Sequence, residues 1–127
     1  MKPMIYKATR EIEILDEGVI DNFHYCIVSY GTHPCAYIEL PETHRYYGLD
    51  YDAINIVCHG GLTYASDKGI IFDGSDNHRD GFWIGWDYAH YEDYMALLPH
   101  IGGRRYTTEG VYRDVEDVIE QLGGNKQ

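Results

Sequence analysis

The sequence has few basic residues and no long apolar run, and both shortages exclude classes of function. Ten lysines and arginines face 21 aspartates and glutamates, which gives a formal net charge of −11. A surface of this charge repels the phosphates of DNA and RNA, so direct nucleic-acid binding is not expected. No stretch approaches the ~18 consecutive apolar residues of a membrane helix, and the N-terminus lacks the apolar segment of a signal peptide. We therefore expect no membrane association and a cytoplasmic location.

Cysteine is also scarce. Cys26, Cys35 and Cys58 are odd in number and show no CxxC spacing, so the sequence indicates neither a disulfide framework nor a zinc knuckle. Reduced thiols inside the core are the expected state. Because no metal-binding or phosphate-loop signature is present either, we predict no metal and no cofactor.

Tyrosine is what the sequence has in excess, with thirteen against three phenylalanines among 127 residues. A tyrosine ring is apolar but carries a polar tip, so it suits both the margin of a small core and the wall of a ligand pocket. The length fits one domain. We assign a single globular domain to residues 1–122 and a flexible tail to 123–127.

Alternating apolar residues and turn signals predict a set of short strands. Residues 23–30 and 35–40 are rich in β-branched and aromatic side chains around a turn at 31–34, which is typical of an antiparallel hairpin. Residues 82–88 predict another central strand, in which Asp87 shares a face with Trp83. Residues 53–58 form a short apolar run, and 62–65 could continue as a strand after the glycines that follow it.

The remaining segments of the first hundred residues have weaker patterns. Residues 4–15 favour an edge strand that ends at a turn over 16–18. Residues 42–52 predict a long loop with one short helical turn. Residues 66–80 predict a flexible loop around one short strand, and 90–105 show no clear period.

The end of the chain carries the clearest pattern. Apolar residues recur there at the spacing of one helical face: Val111, Val115, Val118, Ile119 and Leu122. Thr107 or Thr108 is a suitable N-cap, and Gly123 follows the last apolar residue, so we predict a helix over 108–122. Hairpins followed by one amphipathic helix predict an α+β domain: a mostly antiparallel sheet with the C-terminal helix packed on it.

The segment from His59 to Tyr64, His-Gly-Gly-Leu-Thr-Tyr, is the first candidate site. It sets an imidazole beside two glycines, whose amides can cradle an anionic oxygen of a phosphate or carboxylate. A tight bend with a histidine bonded to backbone explains the same residues equally well.

The segment from Trp83 to His90 is the second candidate site. Asp87 could orient the imidazole of His90 as a general base, with Asp93 on the same turn. A polar network that closes a strand end is an equal alternative. A metal bound by these three residues and His59 is a weaker alternative because no ligand spacing supports it. A nucleophilic Cys58 is disfavoured, since it and His59 would point to opposite faces of a strand.

Aromatic residues of both segments form a stacking set for a flat ligand or, alternatively, part of the core. They are Tyr64, Trp83, Trp86 and Tyr88.

Both segments resemble a group of small uncharacterised proteins carried by bacteriophages and prophages. Those proteins show an HGGLTY-like segment, a later WWIGFDCAHxGD-like segment and a similar C-terminal helix, and the resemblance covers roughly residues 25–122. This sequence departs from the pattern at Tyr88, where cysteine is usual, and at Glu92, where glycine is usual. The resemblance implies a phage setting in a bacterial host cell and no particular activity. By analogy, such small phage proteins are often counter-defence factors.

Three functions are expected from these features. The first is binding of a small phosphorylated or nucleotide-like ligand, such as a host defence signal, with positive charge from Arg79, Arg104 and Arg105. Its predicted ligand-binding residues are His59, Gly60, Gly61, Thr63, Tyr64, Trp86, Asp87, His90 and Asp93. The second is a small hydrolase, with or without a divalent metal, whose catalytic candidates are His59, Asp87 and His90. The third is an acidic inhibitor of a host protein, which needs no pocket.

Overall fold

A computed structural model describes residues 13–29, 33–72, 77–88 and 107–123. Its main feature is a five-stranded antiparallel sheet with the strand order β1-β2-β3-β7-β4, and β5 and β6 form a second, two-stranded sheet. One C-terminal helix packs on the five-stranded sheet, which confirms the predicted α+β architecture. The elements are β1 (Glu13–Ile20), β2 (Phe23–Ser29), β3 (Pro34–Leu40), β4 (Tyr64–Ser66), β5 (Ile70–Phe72), β6 (Asn77–Arg79), β7 (Phe82–Asp87) and α1 (Thr108–Gly123).

The first hairpin turns later than the sequence predicted. Residues 16–18 lie inside β1, where Glu17 is paired with Cys26, so the predicted turn there is wrong. The chain reverses instead at Asp21 and Asn22, both of which have positive φ, a conformation that Asp and Asn tolerate better than most residues. The acidic, glycine-containing stretch remains a strand because each of its residues finds a partner on β2.

The segment 66–80 contains more structure than the single strand predicted for it. Residues Ile70–Phe72 and Asn77–Arg79 pair antiparallel as β5 and β6. The central-strand prediction for 82–88 is confirmed for β7, which lies between β3 and β4. The loop predicted over 42–52 is confirmed, with a short 3₁₀ turn at Tyr51–Ala53. The stretch 90–105 lies outside the described residues.

The five-stranded sheet has a different core on each face. On one face the buried side of α1 packs against residues such as Ile38, Ile84 and Trp86. The opposite face carries a smaller cluster made of Cys26, Val28, Cys35, Ile70 and Trp83. We call these the helix face and the hairpin face. Alternation along β7 places Trp86 on the first and Trp83 on the second, as predicted.

Side chains cap both ends of α1. Thr107 is the N-cap, because its hydroxyl oxygen accepts a hydrogen bond from the Gly110 amide at 3.0 Å, which satisfies a donor of the first turn. At the other end His44 and Arg45 bond to the carbonyl of Leu122. No helix within the described ranges is both long and apolar enough to cross a membrane.

Candidate functional site

The two segments singled out in the sequence lie side by side. Tyr64 of β4 is paired with Gly85 of β7, and the Thr63 amide donates to the Gly85 carbonyl at 2.9 Å. Gly85 also leaves room for the Tyr37 ring of β3, because a Cβ at position 85 would lie 2.5 Å from Cδ1 of Tyr37. Residues 59–64 and 83–88 therefore form one continuous structure.

His59 lies flat on Tyr88 at the end of this pair of segments. The ring centroids are 4.6 Å apart and the planes differ by 16°, a stacked geometry between two π systems. Tyr88 is buried at 1% exposure, whereas the imidazole above it is half-buried. His59 is therefore the partly exposed ring of this aromatic stack, and Tyr88 is the ring that belongs to the core.

Two hydrogen bonds fix the Tyr88 ring. Its hydroxyl donates to a carboxylate oxygen of Asp114 on α1 at 2.5 Å and accepts from the indole Nε1 of Trp86 at 3.1 Å. Burial, followed by the bond to Asp114, raises the pKa of the Tyr88 hydroxyl well above its ordinary value. The hydroxyl therefore stays protonated and anchors the stack between β7 and α1.

The glycine bend beside His59 uses part of its hydrogen-bonding capacity internally. Gly60 and Gly61 have φ values of 70° and 82°, which glycine adopts without strain. The Gly61 amide donates to the Cys58 carbonyl at 3.0 Å, and the Thr63 amide is bonded to β7. These two amides already donate to backbone carbonyls, so they do not contribute to the predicted anion cradle.

The segment before the bend is held by α1. The Gln121 side chain accepts from the Val57 amide at 2.9 Å and donates to the Val57 carbonyl at 2.8 Å. Cys58 follows, half-buried and with a free thiol. Burial, followed by the charge of Asp114, raises the pKa of this thiol to about 12, so it remains protonated at neutral pH.

Asp87 lies on the other side of the sheet from His59. It is paired with Cys35 of β3 on the hairpin face. Burial of Cys35, and then the negative charge of Asp87, raises the pKa of the Cys35 thiol to about 12. The carboxylate near the His59 stack belongs to Asp114 instead.

The other predicted site residues are distributed around the same strands. Tyr64 lies on the hairpin face, with its ring edge-on to Tyr37 and its hydroxyl donating to the Gly69 carbonyl. Trp86 is buried at 1% exposure on the helix face. His90 and Asp93 lie outside the described residues, as do Arg104 and Arg105. Within residues 13–29, 33–72, 77–88 and 107–123, no three His, Cys, Asp or Glu side chains are grouped to hold a metal ion.

Asp114 and Gln121 are the residues of this site that the sequence did not single out. Asp114 follows Val111 by three positions and precedes Val118 by four, so it lies beside the apolar face of the helix. That position distinguishes it from the exposed acids of α1 and was available from the helical period. Gln121 gave no comparable signal, because its partner is a backbone group 64 residues away.

Comparisons of the chain with protein-family models, with curated proteins and with solved structures find no match.

Proposed function

We propose that this protein binds a flat, nucleotide-like small molecule by stacking it on His59. The observation that carries the proposal is the stack of His59 on Tyr88, at 4.6 Å and 16° from parallel. A ring that already lies parallel to a fixed aromatic neighbour loses little freedom when a second flat ring joins it. A ligand ring on the outer side of the imidazole would extend the stack from two layers to three.

The chemistry of the surrounding groups favours binding over nucleophilic catalysis. The raised pKa values of the Cys58 thiol and the Tyr88 hydroxyl keep both groups protonated at neutral pH, whereas an attacking thiolate or phenolate must be deprotonated. The bonds of Tyr88 to Asp114 and Trp86 also hold the hydroxyl against the core.

The ring system of the ligand, more than its phosphate, is what the described residues would contact. Two amides of the glycine bend are already bonded, and the Asp114 carboxylate next to Tyr88 is negative. Arg79, one of the predicted sources of positive charge, forms an ion pair with Glu17 on the far side of the sheet. A phosphorylated ligand would therefore extend its phosphate away from Asp114.

The resemblance to phage proteins suggests where such binding would be useful. A cytoplasmic phage protein that removes a host signalling nucleotide would act as a counter-defence factor. The proposal needs one binding event per molecule and no turnover.

Titration followed by ¹H–¹⁵N NMR tests the proposal, because the chain has two tryptophans on opposite sheet faces. The Trp86 indole N–H donates to Tyr88 under the stack, and that of Trp83 donates to the Asp80 carbonyl. Adenosine, guanosine, their monophosphates and cyclic dinucleotides would be added in turn. We expect at least one to shift the Trp86 indole signal in a saturable manner while the Trp83 signal stays in place.

The matched variants are His59→Ala and His24→Ala, since His24 is a histidine on the hairpin face. His59→Ala removes the ring on which the ligand stacks and should weaken binding about fivefold or more, at ~1–3 kcal/mol per stacked base. His24→Ala should bind as the wild type does. Equal binding by His59→Ala, or no saturable shift with any compound, would rule out the His59 site.

A further inference from the structure

The hairpin face carries an open cavity of about 460 Å³ that the proposed function does not use. It lies across β1, β2, β3 and the start of β7, on the opposite side of the sheet from His59. A volume of this size is within the range of small-molecule sites. Its lining residues are Glu17, Gly18, Val19, His24, Tyr25, Glu39, Arg79, Asp80 and Trp83.

One ion pair and one hydrogen-bonded histidine–carboxylate pair line this cavity. Glu17 accepts from Arg79 at 2.5 Å, and Glu39 and His24 are bonded at 3.0 Å. With Asp80, the lining holds three carboxylates against one guanidinium and one imidazole. The cavity is therefore net negative whether or not His24 is protonated, and the net charge of −11 adds to its attraction for cations.

The Glu39 carboxylate is bonded to one residue and lies close to another. One oxygen is bonded to Nδ1 of His24. The other lies against Gly81, where a Cβ would collide with Oε2 of Glu39 and where φ is 114°. The backbone conformation favours glycine at 81, and the absence of a Cβ there lets this carboxylate lie against the main chain.

The cavity also has apolar surface beside its charges. Trp83 contributes the small exposed part of an indole that is otherwise buried, at 3% exposure, and oriented by the bond from Nε1 to the Asp80 carbonyl at 2.8 Å. Val19 is 57% exposed at the rim. Carboxylates next to an indole and an aliphatic side chain suit a ligand that joins a positive group to methylene groups.

We propose that this cavity binds a small organic cation, an aliphatic amine whose ammonium contacts Glu39 and Glu17 and whose methylenes pack on Val19 and on the exposed edge of Trp83. The ammonium adds hydrogen bonds to carboxylates that already have one side-chain partner each, because a carboxylate accepts several donors. This site is independent of His59 and of the ligand proposed there.

The test is a titration with putrescine and, in parallel, with butanediol, which has the same chain with neutral ends. We expect putrescine to shift the Trp83 indole N–H signal saturably and to leave the Trp86 signal unchanged. Butanediol should shift neither. Added salt should weaken the putrescine effect, since charge interactions at an open site are screened.

Glu39→Gln keeps the shape of the side chain and removes its charge. It should weaken putrescine binding about fivefold or more, since one charge contact near a protein surface is worth ~1 kcal/mol or more. The matched control is Glu109→Gln, which removes an exposed carboxylate from a cation-paired position on α1 and should bind putrescine as the wild type does.

The proposal is overturned if putrescine gives only small, unsaturable shifts spread over the acidic surface, or if both glutamine variants weaken binding equally. A shift of Trp86 instead of Trp83 would also overturn it, since that signal reports the His59 stack. Failure here leaves the His59 site untouched, because the two tryptophans report the two sites separately.

Discussion

Gln121 holds Val57 through both backbone groups of that residue, as a neighbouring β-strand would. The side-chain oxygen accepts from the Val57 amide at 2.9 Å and the side-chain nitrogen donates to its carbonyl at 2.8 Å. The segment that enters the glycine bend is irregular, and the Val57 side chain is 77% exposed. Its position therefore depends on polar bonds to α1 more than on burial of that side chain.

Gln121→Ala should lower the free energy of unfolding by about 1–2 kcal/mol, because the two hydrogen bonds to Val57, of ~0.5–1.5 kcal/mol each, are lost together with an exposed one to Asp117. The Val57 amide should also exchange its hydrogen faster. Urea denaturation and hydrogen-exchange NMR measure the two effects. Glu120→Ala, at the exposed neighbouring position, is the control. It should change the free energy of unfolding by no more than ~0.5 kcal/mol and leave the exchange of the Val57 amide as it is. Unchanged exchange at Val57 in the Gln121 variant would contradict the role assigned to Gln121.

Tyr88→Phe should lower the stability of the fold by more than the removal of a single oxygen atom suggests. The change removes a hydrogen bond to the Asp114 carboxylate and leaves the Trp86 indole N–H buried without its acceptor. We expect a loss of about 2–3 kcal/mol, since bonds to charged groups are worth ~1.5–3 kcal/mol. Chemical denaturation measures it, with Tyr51→Phe as the control because Tyr51 is 49% exposed. If both variants lose the same stability, the Tyr88 hydroxyl is not the anchor.

Gly85→Ala and Gly110→Ala should change stability in opposite directions. At Gly85 a Cβ meets Tyr37 and the Ala36 carbonyl of β3 at 2.5–2.8 Å, so β3 or β7 must move, and we expect a loss of ~1–3 kcal/mol or more. At Gly110 the nearest atom is 3.4 Å away, and alanine favours the helix by up to ~1 kcal/mol. Thermal unfolding of the two variants separates the cases. A tolerated alanine at 85 would mean that β3 and β7 pack less closely than the distances indicate.

Alkaline pH should destabilise the protein through its buried thiols. Burial is the main cause that raises the thiol pKa from 9.0 to about 11 for Cys26 and to about 12 for Cys35. Each thiol ionises more readily in the unfolded chain, so its contribution is complete below pH 9 and is lost as the pH rises toward the folded-state pKa. Between these two pKa values the free energy of unfolding should fall by ~1.4 kcal/mol per pH unit for each thiol.

Urea midpoints measured between about pH 8 and about pH 11 test this linkage. A variant with Cys26→Ala and Cys35→Ala is the comparison. It should be less stable at pH 8 because it loses packing, but its stability should fall less steeply with pH. Parallel curves for the two proteins would show that other groups cause the alkaline loss.

Much of the fold was predictable because its signals are local. The helical period from Val111 to Leu122 and the cap at Thr107 depend on residues within a few positions of one another. The alternation in β7 likewise fixed which of Trp83, Trp86 and Asp87 share a face. The turn predicted at 16–18 was wrong because acidic residues and a glycine favour turns locally, whereas pairing with β2 keeps them extended.

Sequence patterns alone predict the α+β architecture, the buried face of α1 and the segments in which unusual residues are concentrated. Three relationships follow only from the folded chain: His59 stacks on Tyr88, Asp114 supplies the carboxylate there, and Asp87 faces the other side of the sheet. The two contacts of Tyr88 join positions 26 or more residues apart along the chain. Periodicity assigns a residue to a face of its own element, but strand order and register decide which residue of another element it meets.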